Sequence, residues 1–323
     1  MKLSPTDDSA PSETAATKAV LLMAYGSPRA PEDILPYYTH MRGGRPPRPE
    51  ALAELEARYQ AIGGRSPLTE ITLAQASALQ DLLRSEDGPV WSVTVGMKHI
   101  APFIEDAVAG LVSAGIREAV GVVLAPHYSR MSVAGYVERA RAASAGSPLE
   151  IRFVEDWHLE PSYLSWLATA ISSKLSEFGP DRAERAMVIF TAHSLPARLR
   201  EMGDPYPDQL GETATAVARL LDLPRWDIGW QSVAQDAGEP WLGPELLEVV
   251  KAEAASDGTR DFLVCPCGFV ADHLEVRYDL DVEAQQTAAE LGVTISRTAM
   301  PNDDPAFIAV LRDLVRRGLA SPG

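Results

Sequence analysis

Short apolar runs alternate with longer amphipathic stretches along most of the chain. The apolar runs are rich in Val, Ile and Leu and continuous in character, which is typical of strands buried on both faces of a sheet. The stretches between them repeat apolar residues at helical spacing. The pattern predicts strands over 19–25, 90–96, 119–125, 150–155, 187–192, 226–231, 261–267 and 293–297. It predicts helices over 49–61, 69–84, 102–114, 132–145, 161–178, 207–221, 243–254, 273–291 and 304–318.

Buried strands that alternate with helices indicate an α/β fold with parallel sheets covered on both faces. Eight strands could close a single barrel, but the repetition falls into two halves of about four strands each. We therefore predict two similar doubly wound, Rossmann-like domains, each with a parallel sheet flanked by helices. In such sheets, ligands bind beyond the carboxyl ends of the strands.

The stretch AASAGSPLE at 142–150 is rich in Pro, Gly and Ser and predicts the boundary between the two domains. The first domain then covers 18–148 and the second 149–300. Residues 301–323 form a C-terminal helix that could pack back on the first domain. Residues 1–17 are polar and rich in Ser, Thr and Pro, and they predict a disordered extension.

The bulk composition narrows the classes of partner. The formal net charge of −16 over 323 residues argues against nucleic acid and requires a local basic patch for any anionic substrate. Apolar stretches stay short of the ~20 residues that span a bilayer, and the N-terminus lacks a signal-peptide pattern. Two cysteines suggest no disulfide framework, so we expect a cytoplasmic protein.

A row of three carboxylates follows the seventh predicted strand. Glu275, Asp279 and Glu283 are spaced by four residues, which places them on one face of a helix. Like charges stacked in this way destabilise a helix, and a divalent cation moving along the row would offset the repulsion. A solvated acidic face explains the spacing equally well, but the row begins directly after a core strand.

Four of the six histidines lie at or just beyond predicted strand ends: His99, His127, His193 and His273. One such residue is commonly structural, whereas four at the expected position of a cleft predict a functional site. Histidines and carboxylates at neighbouring strand ends suit a weak, exchangeable metal site or a proton-transfer pair. The sequence has no phosphate loop, dinucleotide fingerprint, nucleophile elbow or H-E-x-x-H motif that would explain them.

The chain resembles the ferrochelatases, which insert ferrous iron into a porphyrin, over residues 18–318. The segments that carry the resemblance are LLMAYGSP (21–28), YYTHMRGGRPP (37–47), RYQAIGGRSPL (58–68), KHIAPFIEDA (98–107), LAPHYSRMSVAGY (124–136), TAHSLP (191–196), GDPYPDQL (203–210), GWQS (229–232), PWLGP (240–244) and GFVADHLEVRYDLD (268–281). The resemblance implies two similar doubly wound domains with the porphyrin in the cleft between them.

The resemblance also implies roles for the strand-end residues. His193 and Glu275 are the implied iron-site and catalytic residues, facing each other across the porphyrin centre, while Asp279 and Glu283 continue an outer metal path. A histidine with an ordinary pKa near 6.5 suits the acceptance of pyrrole protons, and a neighbouring carboxylate stabilises its imidazolium. His99 and Trp230, at two further strand ends, are secondary candidates.

The MAYG string is similar to the Gram-positive and actinobacterial branch of the family, which acts on coproporphyrin III and produces coprohaem. In that branch the tyrosine matching Tyr25 is an axial ligand of the product iron. The positions that match its porphyrin contacts are Tyr25, Arg42, Arg58, Tyr59, Ser66 and Tyr136.

The alternatives are a protoporphyrin IX ferrochelatase, a cobalt chelatase and a non-catalytic haem-binding protein. Fe²⁺ is expected as a substrate, with no permanently bound cofactor. An iron–sulfur cluster is not expected, because Cys265 and Cys267 cannot supply the four thiolates it needs. The implied partners are coproporphyrin III and, transiently, an upstream porphyrin oxidase and a downstream coprohaem decarboxylase. We expect a monomer.

Overall fold

The computed structural model describes residues 18–86, 88–233, 238–256 and 258–320. The predicted N-terminal extension over 1–17 and the last three residues lie outside these ranges. The strands are β1 (Lys18–Ala24), β2 (Trp91–Met97), β3 (Glu118–Val123), β4 (Glu150–Val154), β5 (Met187–His193), β6 (Trp226–Gln231), β7 (Asp261–Cys265) and β8 (Thr294–Arg297).

The helices include one segment of unusual type, a π-helix over Val276–Glu283. The α-helices are α1 (Ile34–Met41), α2 (Pro49–Ala61), α3 (Leu68–Arg84), α4 (Ile104–Ser113), α5 (Val133–Ser144), α6 (Pro161–Phe178), α7 (Pro180–Arg185), α8 (Tyr206–Leu220), α9 (Leu246–Ser256), α10 (Ala284–Leu291) and α11 (Pro305–Ala320).

The strands form two parallel sheets with the same internal order. The first sheet runs β2-β1-β3-β4 and the second runs β6-β5-β7-β8. In each half the first strand lies at the centre, with the second strand on one side and the third on the other. The prediction of two similar doubly wound halves is confirmed. This strand order places a topological switch point, where ligands bind in open α/β sheets, beside β1 and beside β5.

The predicted domain boundary at 148/149 is wrong by one strand. β4 pairs in parallel with β3, with Glu118 opposite Glu150 and Val122 opposite Val154, so it completes the first sheet. The Pro- and Gly-rich stretch before it is an ordinary connection between α5 and β4, because turn residues mark such a loop as well as a domain linker. α11 returns from the end of the chain to pack against α3, β3 and β4.

One hydrophobic core joins the two halves. It contains side chains of both central strands, such as Leu22 of β1 and Phe190 of β5, together with Phe307 of α11, all fully buried. Two smaller cores lie under α4 and α5 in the first half and under α9 and α10 in the second. Since the main core spans both sheets, the two sets of strand ends are held in a fixed relation.

Hydrogen bonds also fasten the halves together beside the strand ends. Asp204, just before α8, accepts from the backbone N–H of Arg130 at 2.7 Å and from the hydroxyl of Ser129 at 3.2 Å. Gln209 accepts from the backbone N–H of Tyr128 at 2.6 Å. The loop after β3 is therefore held on the second half. Within the described ranges, no helix has the length and apolar character needed to cross a membrane.

Removal of the Phe307 ring tests the role of α11 as a strap across the core. The ring lies 6.3 Å from that of Trp157 and 6.4 Å from that of Trp166 on α6, centroid to centroid. Because Phe→Ala leaves a cavity, Phe307→Ala should lower the free energy of unfolding by about 3–5 kcal/mol in chemical denaturation. Leu220→Ala, at a side chain that is 59% exposed, is the control and should change it by less than about 0.5 kcal/mol. Equal effects would show that α11 does not support the core.

Candidate active site

Tyr25 and His193 occupy corresponding positions in the two halves. Tyr25 directly follows β1 and His193 is the last residue of β5, so each stands at the carboxyl end of a central strand. Glu275 lies beyond β7, the strand on the other side of the second switch point. The negative charge of Glu275 contributes to a raised pKa at Tyr25, after the larger effect of burial. The side chains at the two switch points therefore share one electrostatic environment.

His193 and Glu275 form a half-buried charge pair. The His193 Nε2 lies 3.3 Å from Glu275 Oε1, and the two side chains are 32% and 33% exposed. The other ring nitrogen, Nδ1, donates to the carbonyl of Ser194. The hydroxyl of Tyr206 donates to the backbone carbonyl of His193 at 2.8 Å, which fixes the main chain at this point.

Both ring nitrogens of His193 face acceptors, and this arrangement favours the protonated ring. Burial, the largest single effect, lowers the pKa of His193, but the charge and hydrogen bond of Glu275, together with the Ser194 carbonyl and the charge of Asp279, outweigh burial and raise the pKa to about 9. The expectation of an ordinary pKa near 6.5 is therefore wrong for His193 beside the ionised Glu275. At neutral pH the pair consists of an imidazolium and a carboxylate.

Glu275 has a second histidine partner. His273 Nε2 lies 3.6 Å from Glu275 Oε2, and His273 Nδ1 is 3.1 Å from the carbonyl of Ala271, to which it can donate. Burial raises the pKa of Glu275, yet the imidazoles of His193 and His273 together hold it well below its usual range. Glu275 is thus ionised at every physiological pH and is aimed between two imidazoles.

Asp279 is held away from solvent on the second half. It is 9% exposed and accepts from the hydroxyl of Ser232 at 2.7 Å and from the amide of Gln231 at 3.5 Å. Ser232 has a φ of 57°, in the left-handed region that residues other than glycine rarely adopt and that is found at functional sites. Burial, followed by the charge of Glu275, raises the pKa of Asp279 to about 6.

Two members of the carboxylate row, Asp279 and Glu283, lie on a π-helix rather than on the predicted α-helix, and Glu275 directly precedes it. The amide of Ala284 bonds to the carbonyl of Asp279, a spacing of five residues that widens the turn. Glu283, at the end of this segment, is exposed. It contributes, after burial, to a raised pKa at Glu245, which precedes α9. The row therefore continues to a fourth carboxylate that the sequence analysis did not identify.

Aromatic rings surround Tyr25 on the first half. The ring of His99 lies 4.5 Å from that of Tyr25, and the ring of Tyr37 lies 6.4 Å away, centroid to centroid. His99 Nδ1 is 3.1 Å from Nδ1 of His40, so one N–H is shared between the two rings. Burial and then the Lys98 charge lower the pKa of His99 to about 4, which keeps this ring neutral.

The two predicted substrate-binding arginines differ in their surroundings. Arg58 is bound to Glu54 at 3.1 Å, and its guanidinium lies 5.2 Å from the ring centroid of Tyr278 on the π-helix. Arg42 is exposed and rests 5.9 Å from the ring centroid of Tyr38, with no ion pair to any residue in the described ranges. Arg42 is therefore available to an incoming anion, whereas Arg58 already has a carboxylate partner.

The predicted substrate-binding hydroxyls belong to side chains with buried bodies. Tyr59, Ser66 and Tyr136 are 2%, 3% and 5% exposed. Ser66 accepts locally from the backbone N–H of Leu68 at 3.4 Å. The Tyr59 and Tyr136 hydroxyls have no hydrogen bond to a described residue and are not among the buried unsatisfied atoms, so both reach solvent. They can offer a donor to a ligand.

Other strand-end residues have structural surroundings. Trp230 is 3% exposed and packs against Tyr206 at 5.7 Å between ring centroids, inside the main core. His127 is buried and contacts Thr213 of α8 at 2.9 Å. Cys265 and Cys267 are fully buried, and burial raises the pKa of Cys265 to about 12, so this thiol is unreactive.

Several residues of the site were not given a role from the sequence. His273 and Ser232 contact the carboxylate row, and their only signal was a position just past a strand end. Tyr37 and His40 lie on α1, a helix absent from the predicted set. Trp241 has its ring 6.3 Å from that of His193, and its indole N–H is buried without a partner among the described residues.

The raised pKa of Asp279 predicts a pH-dependent cost to folding. Since the folded pKa of about 6 exceeds the ordinary 3.8, ionisation of this carboxyl destabilises the fold as pH rises through that window. Asp279→Asn should therefore raise the free energy of unfolding by about 2–3 kcal/mol at pH 8 and leave it unchanged near pH 4. Glu290→Gln, which removes an exposed carboxylate, is the control and should do neither. A less stable Asp279→Asn protein at pH 8 would contradict the assignment.

Comparisons with known proteins show the family of this chain. The family described as Ferrochelatase matches residues 17–319. The coproporphyrin III ferrochelatase of Geobacillus thermodenitrificans is 43% identical over 310 residues, covering 95% of this chain and 98% of the relative. That of Listeria monocytogenes is 43% identical over 298 residues, covering 92% and 96%.

A solved structure shares the fold at low sequence identity. The sirohydrochlorin chelatase SirB from Bacillus subtilis, in complex with cobalt, superposes with a TM-score of 0.58 at 13% identity, covering 95% of this chain and 97% of the other. This likeness shows a common two-domain architecture. The family match and the relatives show that the chain belongs to the ferrochelatase family.

Proposed function

We propose that this protein inserts ferrous iron into coproporphyrin III, releasing two protons and giving coprohaem for haem biosynthesis. The observation that carries the proposal is the His193–Glu275 pair at one switch point, opposite Tyr25 at the other. The relatives named coproporphyrin III ferrochelatase support the choice of porphyrin. They do not favour the protoporphyrin IX alternative.

Iron insertion needs a place for the metal and an acceptor for two pyrrole protons. A carboxylate and an imidazole are both ligands of iron. Within the described ranges, no group of three or more His, Cys, Asp or Glu side chains is placed to hold a metal ion. A two-ligand site at His193 and Glu275 suits a metal that must be handed on to the porphyrin, which supplies four nitrogens itself.

His193 must lose a proton before it can accept one. With a pKa raised to about 9, the ring is protonated at neutral pH. A dication that binds Glu275 cancels the charge that holds this proton, because a nearby positive charge favours the neutral imidazole. In this proposal Fe²⁺ arrival displaces the first proton to solvent. After the metal has passed to the porphyrin, the neutral ring accepts one pyrrole proton, releases it to solvent and then accepts the second.

The carboxylates beyond Glu275 would supply the iron. Glu283 is exposed and Asp279 is buried, so they differ in access. The protonation of Asp279 near pH 6 makes it a point at which a cation and a proton compete. We assign Glu283 to the entrance and Asp279 to the step between the entrance and Glu275.

The anionic porphyrin must bind to a protein with a net charge of −16, so local donors are required. Arg42 and the hydroxyl groups of Tyr59 and Tyr136 are available, and Arg58 becomes available if a propionate replaces Glu54. Tyr25 is 38% exposed and would be the axial ligand of the product iron. Burial and the charge of Glu275 raise its pKa, so the phenol is protonated until iron arrives.

We further propose that the protein is monomeric and cytoplasmic and holds no resident cofactor or iron–sulfur cluster. Its proposed transient partners are an upstream porphyrin oxidase and a downstream coprohaem decarboxylase. Fe²⁺ and coproporphyrin III are the substrates.

A comparison of two porphyrins tests the proposed function. The purified protein is given Fe²⁺ under anaerobic conditions with either coproporphyrin III or protoporphyrin IX, and metallation is followed by absorbance. We expect kcat/KM for coproporphyrin III to be at least tenfold higher, because four propionates engage more donors than two. Higher kcat/KM for protoporphyrin IX would overturn the choice of substrate, and no metallation of either would overturn the activity.

Replacement of His193 tests its part in the reaction. His193→Ala should abolish insertion while the porphyrin binds within about threefold of the wild-type affinity, because the ring serves the metal and protons rather than the propionates. Porphyrin binding, measured by fluorescence quenching without iron, serves as the internal control. Insertion by His193→Ala at a near wild-type rate would show that another group accepts the protons.

A further inference from the structure

Lys98 presents an ammonium group that the surrounding protein leaves without a counterion. The residue directly follows β2, and its backbone N–H donates to the carbonyl of Ala24 at 2.9 Å. This bond continues the pairing of β1 with β2 up to the residue before Tyr25. The side chain is half-buried. Within the described ranges its Nζ has neither a hydrogen bond nor an ion pair, and it is not a buried unsatisfied atom, so it reaches solvent.

The neighbouring cation differs from Lys98 in this respect. Arg139 of α5 is held by Glu105 through two bonds, from Nε at 2.6 Å and from Nη2 at 2.7 Å, and it also donates to the carbonyl of Lys98. Its charge is therefore matched. The remaining acidic neighbour, Glu138, is exposed and forms no ion pair with Lys98. Of two adjacent cations, only Lys98 keeps an unmatched charge.

The surroundings position the ammonium and keep the space beside it open. Its Nζ lies 4.8 Å from the ring centroid of Tyr136, a cation–π contact that orients the side chain. Residue 135 is glycine, and a Cβ there would lie 3.1 Å from the Lys98 Nζ. The helix thus presents its smallest residue where a side chain would crowd the ammonium.

The same ring connects Lys98 with the proposed porphyrin site. Besides burial, Tyr25 contributes to the raised pKa of Tyr136, and both Tyr25 and Tyr136 contribute to that of Tyr37. Next to Lys98 in the chain, His99 contacts the ring of Tyr25. Lys98 therefore lies beside the aromatic rings that surround Tyr25.

A partly desolvated ammonium without a counterion costs free energy unless an anion binds to it. Burial and the charge of Arg139 lower the pKa of Lys98, which is the sign of that cost. A carboxylate that binds here accepts a charge-assisted hydrogen bond from the Lys98 ammonium, which burial has already partly desolvated. The substrate under the proposed function carries four such carboxylates.

We propose that Lys98, supported by Tyr136 and given room by Gly135, binds one propionate of the porphyrin and thereby favours substrates with more than two carboxylates. This assignment rests on the proposed function for the identity of the porphyrin. It adds to Arg42 and Arg58 a third cation, on the Tyr25 side of the site. Lys98 is a substrate-binding residue and takes no part in metal or proton transfer.

The test measures equilibrium binding of coproporphyrin III, without iron, by fluorescence quenching. Lys98→Met removes the charge and keeps most of the side-chain volume, and it should weaken binding at least tenfold. Lys98→Arg keeps the charge and should stay within about threefold of wild type. Lys251→Met, at an exposed residue of α9 in the second half, removes the same charge and should have no effect beyond twofold.

Kinetics and salt dependence separate a carboxylate contact from a structural effect. Lys98→Met should raise the KM for coproporphyrin III with kcat within twofold, and its binding should weaken less with added salt than that of wild type. A dissociation constant within twofold of wild type for Lys98→Met, or an equal loss for Lys98→Arg, would overturn the assignment.

The proposed function can fail separately from this assignment. A wild-type protein that binds coproporphyrin III but inserts no iron would overturn the activity and leave the comparison at Lys98 valid. A wild-type protein that does not bind the porphyrin would overturn both.

Discussion

The attraction between His193 and Glu275 organises the site. A half-buried imidazolium and a half-buried carboxylate 3.3 Å apart each stabilise the other's charge, which neither could keep alone at that depth. The consequences extend to the neighbours. Glu275 contributes to the raised pKa of Asp279, and it contributes to those of Tyr25 and Tyr59 on the opposite half. The charge state of this one pair therefore affects both walls of the site.

The two halves of the fold repeat one arrangement of strands. Each half has a central first strand, and the carboxyl ends of those two strands carry Tyr25 and His193. The shared hydrophobic core, the strap formed by α11 and the hydrogen bonds to Asp204 keep the two switch points in a fixed relation. Side chains of the two halves can then contact a metal and a flat macrocycle from opposite sides without large rearrangement of the backbone.

The hydrophobic pattern predicted all eight strands to within two residues, because strands buried on both faces leave a continuous apolar signal. It missed α1, which has Pro36 in its first turn, and the short α7. It also placed β4 in the wrong half, since pairing is not visible in local sequence. Spacing by four identified the carboxylate row but could not separate an α-helix from a π-helix. The strand-end rule and the family resemblance both led to His193.

What the sequence could not provide was the environment of each group. An ordinary histidine pKa was the natural assumption for His193, and only the positions of Glu275 and the Ser194 carbonyl show that the ring is protonated at rest. Likewise, the sequence predicted Asp279 and Glu283 as outer positions of a metal path but not their burial, and Asp279 is more buried than Glu275. Burial and partner geometry are tertiary properties, which the local sequence does not reveal.

The pH dependence of iron insertion is the most direct test that His193 works from a resting imidazolium. Under anaerobic conditions, kcat/KM for Fe²⁺ should rise with pH up to about 9 in the wild-type protein, because the free enzyme must release the His193 proton to bind metal. In Glu275→Gln the maximum should be lower and the rise should occur about two pH units earlier. A wild-type profile that is flat between pH 6.5 and 9, or a rise at the same pH in both proteins, would contradict it.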